Sequence, residues 1–181
     1  MKLFWKQADP LPLAETLPLL PPERAAQIAR CRDPRQQRLS AAAGLLLREQ
    51  LGPEAQLRRT ATGKPYLPGG PELSLSHGGA LAALLLADAP CGVDIEPIGR
   101  TASPAVRARV LRPEERADRR AFAWLWTRKE AVMKLDGRGL ALDPRSFSVL
   151  GDTLLLDGRS IRLTTQIVCG HFLSCAVKTS G

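Results

Sequence analysis

Aromatic side chains make up only 4% of the 181 residues, too few for the stacking platforms that read single-stranded nucleic acids. No apolar run approaches the roughly 20 residues that a membrane-spanning helix needs. The opening Met1-Lys2-Leu3-Phe4-Trp5-Lys6 lacks the apolar stretch and small-residue cleavage site of a secretory signal. The sequence therefore predicts a cytoplasmic protein with no membrane association. The four cysteines, Cys31, Cys91, Cys169 and Cys175, show no C-x-x-C spacing, which argues against a zinc knuckle or a redox pair. In a reducing compartment they act as small apolar side chains. Acidic residues are also in short supply: 18 Asp and Glu face 26 Lys and Arg, a net charge of +8, and 20 of the basic residues are arginine. Such an excess favours an anionic partner, whether nucleic acid, phosphorylated metabolite or acidic protein surface. What remains, 44% hydrophobic and 24% charged, excludes wholesale disorder.

Punctuation divides the chain into two stretches of similar order. A strand over 2–7 is followed by a segment broken by Pro10, Pro12, Pro18, Pro21 and Pro22, each of which interrupts regular pairing or helix continuation. Pro22 starts a helix running to Cys31, and Asp33-Pro34 starts a second over 35–51, ended by Gly52-Pro53. Short segments over 57–60, 73–76, 81–87 and 92–96 then read as a small antiparallel sheet. Residues 81–87, LAALLLA, are composed for a helix. The space between Gly78-Gly79 and Asp88-Ala89-Pro90 suits a strand instead. After Pro97 the pattern is helical to Leu135, and strands follow near 146–150, 153–156, 160–167 and 171–177. The expected fold class is α+β: two pseudo-symmetric lobes, each with helices packed on a small antiparallel sheet, residues 1–97 and 98–181.

Three places could carry chemistry. In the helix over 121–135, Phe122, Leu125, Trp126 and Met133 share a stripe on which Lys129 and Glu130 also fall. A carboxylate along an apolar face needs a partner. Either the two charges mark an exposed edge, or Glu130 faces a metal or a proton to be moved. In Gly92-Val93-Asp94-Ile95-Glu96, strand geometry puts Asp94 and Glu96 on one face, where two anions repel unless a cation lies between them. Mg²⁺ with phosphate oxygens is the natural cation, and a polar strand end is the bland alternative. Finally, Gly63-Lys64-Pro65 holds a cation suited to phosphate, and Ser76-His77-Gly78-Gly79 offers donors beside open space. Ser76 and His77 cannot form a nucleophile–base pair, since neighbours on a strand point to opposite faces. A solvated turn remains the alternative there.

Taken in order, G-K-P, S-H, G-V-D-I-E and W-T-x-K-E-A-x-x-K, with Glu115, Gly137-Arg138-Gly139-Leu140 and Ser146-Phe147-Ser148-Val149 around them, resemble the 4′-phosphopantetheinyl transferase superfamily in its larger, surfactin-synthetase-activating form. The resemblance implies Mg²⁺-dependent transfer of the phosphopantetheine arm of coenzyme A to a serine of an apo carrier protein (acyl, peptidyl or polyketide), releasing adenosine 3′,5′-bisphosphate. Carried over residue by residue, it makes Asp94, Glu96 and Glu130 the Mg²⁺ ligands and Glu130, with Lys134, the catalytic groups. It makes Lys64, Ser76, His77, Lys129 and Lys134 coenzyme A contacts. Arg38 corresponds to an arginine at the coenzyme A 3′-phosphate, with Arg35 as the other possible register. Where the family often has a second serine, this chain has Gly78, and its segment between Glu96 and Trp126 is compact. The stretch from Pro97 to Arg128 holds eight arginines against Glu114, Glu115 and Asp118, the expected docking surface for an acidic carrier. A monomer suffices, because one chain carries both halves of the site. Two other classes fit parts of the sequence. A basic nucleic-acid-binding module accounts for the charge, and a Mg²⁺-dependent phosphoester hydrolase accounts for the carboxylates. Neither accounts for the ordered motifs.

Overall fold

Two hairpins of the same design organise the chain, and each is completed by a strand from earlier in the sequence. In the computed structural model, which describes residues 1–9 and 11–179, the first hairpin is β4 (Glu72–Gly78) and β5 (Leu81–Ala87). The first strand, β1 (Lys2–Gln7), pairs antiparallel with β5, giving the order β1-β5-β4. The second hairpin is β8 (Arg159–Val168) and β9 (His171–Lys178), with β6 (Cys91–Pro97) pairing antiparallel to β9 and β7 (Thr153–Leu156) flanking β8. Its order is β6-β9-β8-β7. The α+β class and its repeated antiparallel design are thus present. Residues 91–97, counted above with the first half, hydrogen-bond as β6 into the second sheet. A two-residue ladder, β2 (Arg58–Arg59) with β3 (Pro65–Tyr66), presents the Gly63-Lys64 turn.

Helices lie between the first strand and the hairpin in both halves. The first half has α1 (Leu13–Thr16), α2 (Pro22–Ala29) and α3 (Pro34–Leu51). Asp33 caps α3 by accepting the Arg35 N–H at 2.9 Å. The helical turns over 13–19 form inside the Pro-rich stretch that the sequence reading left without structure; Pro10 lies outside the described residues. The second half has α4 (Pro104–Val110), α5 (Pro113–Ala117) and α6 (Phe122–Asp136), three helices where one helical stretch was expected. Pro104 and Pro113 restart the chain, because the residue before a proline is pushed out of the helical region.

Apolar side chains stack these elements in four layers. α3 packs Leu39, Ala42, Ala43 and Leu46 on Ala82, Leu84 and Leu86 of β5. The opposite face of β5, with Leu81, Ala83 and Leu85, packs on Val93, Ile95, Leu173 and Cys175 of the second sheet. α6 covers the far side of that sheet through Leu125 and Val132 against Ile161, Leu163 and Ala176. LAALLLA is therefore a strand despite its helical composition, since a central strand buried on both faces needs an unbroken apolar run.

The expected strand over 146–150 is absent. A short 3₁₀ turn spans Pro144–Ser146, and the backbone after it is satisfied by buried side chains instead of a neighbouring strand. Glu115 accepts the Val149 N–H at 2.8 Å, Arg128 donates to the Val149 carbonyl at 2.8 Å, and Lys129 donates to the Phe147 carbonyl at 2.5 Å. Once its polar groups are matched in this way, the segment has no ladder left to form.

Candidate functional site

The site begins where α6 lies directly on β6. A Cβ at Gly92 would stand 1.9 Å from the Ala131 carbonyl oxygen, so only glycine allows this approach. Strand alternation then aims Asp94 along the same face, towards the last turns of α6. There Lys134 Nζ donates to Asp94 Oδ1 at 2.6 Å and to Ser76 Oγ at 2.7 Å, while Ser76 Oγ donates to the same Asp94 oxygen at 2.7 Å. Ser74, two residues back on β4, accepts the Val93 N–H at 3.0 Å. One face of β4 is thereby fastened to β6, and Ser76, Asp94 and Lys134 meet from three separate elements.

Glu130, one turn before Lys134, joins this group. Burial pushes its carboxyl above the usual carboxylate range, and the neighbouring Asp94 pushes it further, against the pull of Lys134 and Arg100. Asp94 Oδ2 is buried without a hydrogen-bond partner. An orphaned carboxylate oxygen beside a second carboxylate that resists ionisation is a site short of positive charge, and hard oxygen donors of this kind suit Mg²⁺. Glu96 stands apart in an ion pair with Arg100. Among the described residues no group of three or more His, Cys, Asp or Glu side chains is arranged to hold a metal. Two of the three expected ligands, Asp94 and Glu130, come together.

The adjoining cleft has a volume of about 310 Å³ and is lined by Gly63, Lys64, Ser74, Glu130 and Lys134 among others. Lys64 reaches across it and donates to the Cys91 carbonyl at 3.0 Å and the Leu135 carbonyl at 3.3 Å. It ties the β2–β3 turn to the start of β6 and the end of α6, and burial draws its ammonium below the ordinary lysine value. His77 is on the exposed side of β4. The surrounding protein and the Lys134 ammonium hold its imidazole below the ordinary histidine value.

Lys129 is elsewhere. It is fully buried, its Nζ lies 2.7 Å from Glu115 Oε1, and it donates to the carbonyls of Pro144 at 2.8 Å and Phe147 at 2.5 Å. Three acceptors take all three of its protons, so no donor is left for a phosphate. The expectation that it contacts coenzyme A is corrected accordingly: Lys129 holds α6 to α5 and the 144–147 segment. Arg38 is engaged with Asp9 at 2.6 Å. Arg35, the other register, donates to the Gly79 carbonyl at 3.1 Å and so sits against the turn that follows His77. Arg24 on α2 was not anticipated. It donates to the Ser40 carbonyl at 3.3 Å, its Nε is buried without a partner, and burial together with Arg59 lowers its guanidinium. Its charge also bears on His77. Arg24 and Arg59 thus bring two guanidinium groups close together, with the His77 imidazole within range of Arg24. A lone Pro-Glu-Arg at a helix start gave no signal of this.

No helix of the described residues is long and apolar enough to cross a membrane. The model of the 4′-phosphopantetheinyl transferase superfamily matches residues 90–169, which include β6 and all of α6. Two Bacillus subtilis proteins are similar to the chain. One, named 4′-phosphopantetheinyl transferase, is 34% identical over 98 residues, 48% of this chain and 43% of its own length. The other, named 4′-phosphopantetheinyl transferase ffp, is 33% identical over 129 residues, 65% of this chain and 54% of its own length. The chain thus spans about half the length of the curated relatives it matches, and its central segment, with the Asp94–Glu130–Lys134 group, is similar to the 4′-phosphopantetheinyl transferase superfamily.

Proposed function

We propose that the protein is a 4′-phosphopantetheinyl transferase of the surfactin-synthetase-activating type, moving the phosphopantetheine arm of coenzyme A to a serine of an apo carrier protein and releasing adenosine 3′,5′-bisphosphate. The observation that carries this reading is the buried, unpartnered oxygen of Asp94 beside the ionisation-resistant Glu130. These two carboxylates would hold Mg²⁺, joined by Glu96 once it leaves Arg100. When bound, the ion supplies charge stabilisation at the coenzyme A pyrophosphate. Glu130 accepts the proton of the attacking serine hydroxyl, directly or through water. Lys134 neutralises charge that develops on the phosphate. Ser76 and Lys64 line the path of the arm. His77, Arg24 and Arg35 face the nucleotide end, with Arg24 rather than Arg38 as the partner of the 3′-phosphate.

In this reading the halves 1–97 and 98–181 work as one catalytic unit in a cytoplasmic monomer. The docking face for an acidic carrier lies on α4, α5 and the residues just after α5, where Arg109, Arg116 and Arg119 are exposed. The test is the intact mass of an apo acyl carrier protein after incubation with the protein, coenzyme A and Mg²⁺, with peptidyl and polyketide carriers in parallel. Gain of one phosphopantetheine, lost with EDTA and in Glu130→Ala, supports the reading. No gain on any carrier overturns it. Nucleotide release without a carrier points to a phosphoester hydrolase, and salt-sensitive binding of DNA or RNA to a nucleic-acid module.

A further inference from the structure

The β4–β5 turn that follows Ser76 and His77 is held by a side chain from the other half of the molecule. His171 opens β9 and is 8% exposed. Its Nδ1 donates to the Cys169 carbonyl at 2.7 Å, which fixes the tautomer, and its Nε2 accepts the Ala80 N–H at 3.2 Å. The fit is close: a Cβ on Gly79, whose φ is +58°, would stand 2.1 Å from His171 Nε2 and 2.8 Å from Pro97 Cγ. The rest of the turn is fastened by backbone and by one arginine. Ala8 N–H donates to the Ala80 carbonyl at 2.8 Å, and Arg35 donates to the Gly79 carbonyl at 3.1 Å. The imidazole is thus the link from the second sheet to this turn through Ala80, and its acceptor nitrogen is spent on a backbone group rather than left free for chemistry.

We propose that His171 is a positioning residue for coenzyme A: by accepting the Ala80 N–H it fixes the Gly79-Ala80 turn, and through it His77 and the Arg35 contact, in the geometry that receives the nucleotide. The inference rests on the transferase reading above. Removing the acceptor leaves the half-buried Ala80 N–H without its partner and frees the turn from the second sheet. The three-point hold on Asp94, Ser76 and Lys134 does not involve the imidazole, so the chemical step is untouched.

The test compares wild type with His171→Phe, which keeps a planar ring without the nitrogens, and with His171→Gln, whose amide oxygen can accept from Ala80. Coenzyme A affinity is measured by calorimetry without carrier, amide hydrogen exchange is followed over residues 72–87, and kcat and KM are measured with saturating partner substrate. The expected result for His171→Phe is faster exchange at the turn and roughly tenfold weaker coenzyme A binding. Its kcat and carrier KM stay unchanged, and His171→Gln recovers most of the affinity. Should His171→Phe not fold, His171→Asn takes its place, because its shorter amide falls short of Ala80. A Phe or Asn variant that binds coenzyme A as tightly as wild type overturns the role of His171 and leaves the transferase reading standing. Wild-type protein that binds no coenzyme A overturns both.

Discussion

Replacing Lys129 by methionine separates two roles for the same residue. A lysine that contacts coenzyme A would, when removed, raise the KM for coenzyme A and leave folding alone. The structure calls for the opposite. Lys129 and Glu115 are both fully buried and 2.7 Å apart. Without the ammonium, Glu115 keeps the Arg112 N–H at 2.9 Å and the Val149 N–H at 2.8 Å but loses its counter-charge. Breaking one side of such a pair costs about 3–5 kcal/mol, a large part of the roughly 5–15 kcal/mol that holds a domain together. At about 2–4 °C per kcal/mol for a chain of this size, the melting temperature falls by about 10 °C. Glu115→Gln carries a cost of the same kind, since it leaves the buried Lys129 ammonium without a counter-charge and turns an amide NH₂ towards one of the two N–H groups. The double variant Glu115→Gln/Lys129→Met recovers part of the loss, because no charge is then left buried alone and the amide oxygen still accepts one of the two N–H groups. Urea unfolding gives the stabilities, with an unchanged slope as the check on two-state behaviour. Initial rates at a temperature where the variant is folded give the KM for coenzyme A. Wild-type stability together with a raised KM would refute the structural role.

Three further outcomes follow from the site. The carboxyl of Glu130 has a folded-state pKa above the ordinary 4.5, so the stability linked to it is fully present below that value and is lost as pH rises through the raised one. Glu130→Gln is therefore more stable than wild type at neutral pH in EDTA, the gap closes in acid, and added Mg²⁺ stabilises wild type only; thermal melts across pH check all three parts. Arg24→Ala raises the KM for coenzyme A several-fold but leaves that for 3′-dephospho-coenzyme A unchanged, a contrast read from paired initial-rate series. Charge reversal at Arg116 and Arg119 raises the KM for the carrier and spares coenzyme A affinity. Arg120 is the wrong partner for this test, because it grips Asp118 at 2.8 Å and stacks on Trp124 at 4.3 Å.

Much of this was legible before any coordinates. The Gly92-to-Glu96 strand, the helix holding Glu130 and Lys134, and the reading of LAALLLA as a strand all follow from local pattern and punctuation. What escaped depends on partners far away in sequence. Helical spacing puts Lys129 on the stripe of Phe122 and Leu125, but it cannot tell a lysine aimed at a ligand from one sealed against Glu115 on another helix. Arg35 and Arg38 lie nearly one turn apart on α3, and the choice between them is made by Gly79 and Asp9, two loops that the helix pattern does not contain. The missing strand at 146–150 has the same cause. Its residues suit a strand, yet Glu115, Arg128 and Lys129 take the hydrogen bonds that a neighbouring strand would have supplied.

The repeated hairpin design raises the question of why the chain has one such site and not two. Counting from the hairpin turns, Ala82 pairs with Lys6 and His77 in the first sheet as Phe172 pairs with Glu96 and Ile167 in the second. The position equivalent to Glu96 is thus Lys6, and by the same count Phe4 stands for Asp94, Gln166 for Ser76 and Ile167 for His77. The second cleft exists, about 480 Å³ lined by Leu3, Trp5, Thr164, Thr165, Gln166 and Leu173 among others. The β1 residues that line it are Leu3 and Trp5; alternation turns Phe4 and Lys6 to the other face, where Phe4 packs with α3 and Lys6 pairs with Glu49 at 2.9 Å. Among the described residues its lining includes no carboxylate, lysine or arginine to hold a divalent cation or a pyrophosphate. Calorimetry with coenzyme A and Mg²⁺ should therefore give a stoichiometry of one per chain, abolished by Asp94→Asn and unaffected by Lys6→Gln. A stoichiometry of two, or a loss of binding in Lys6→Gln, would mean that the equivalence drawn from the strand register does not extend to the chemistry of the two clefts.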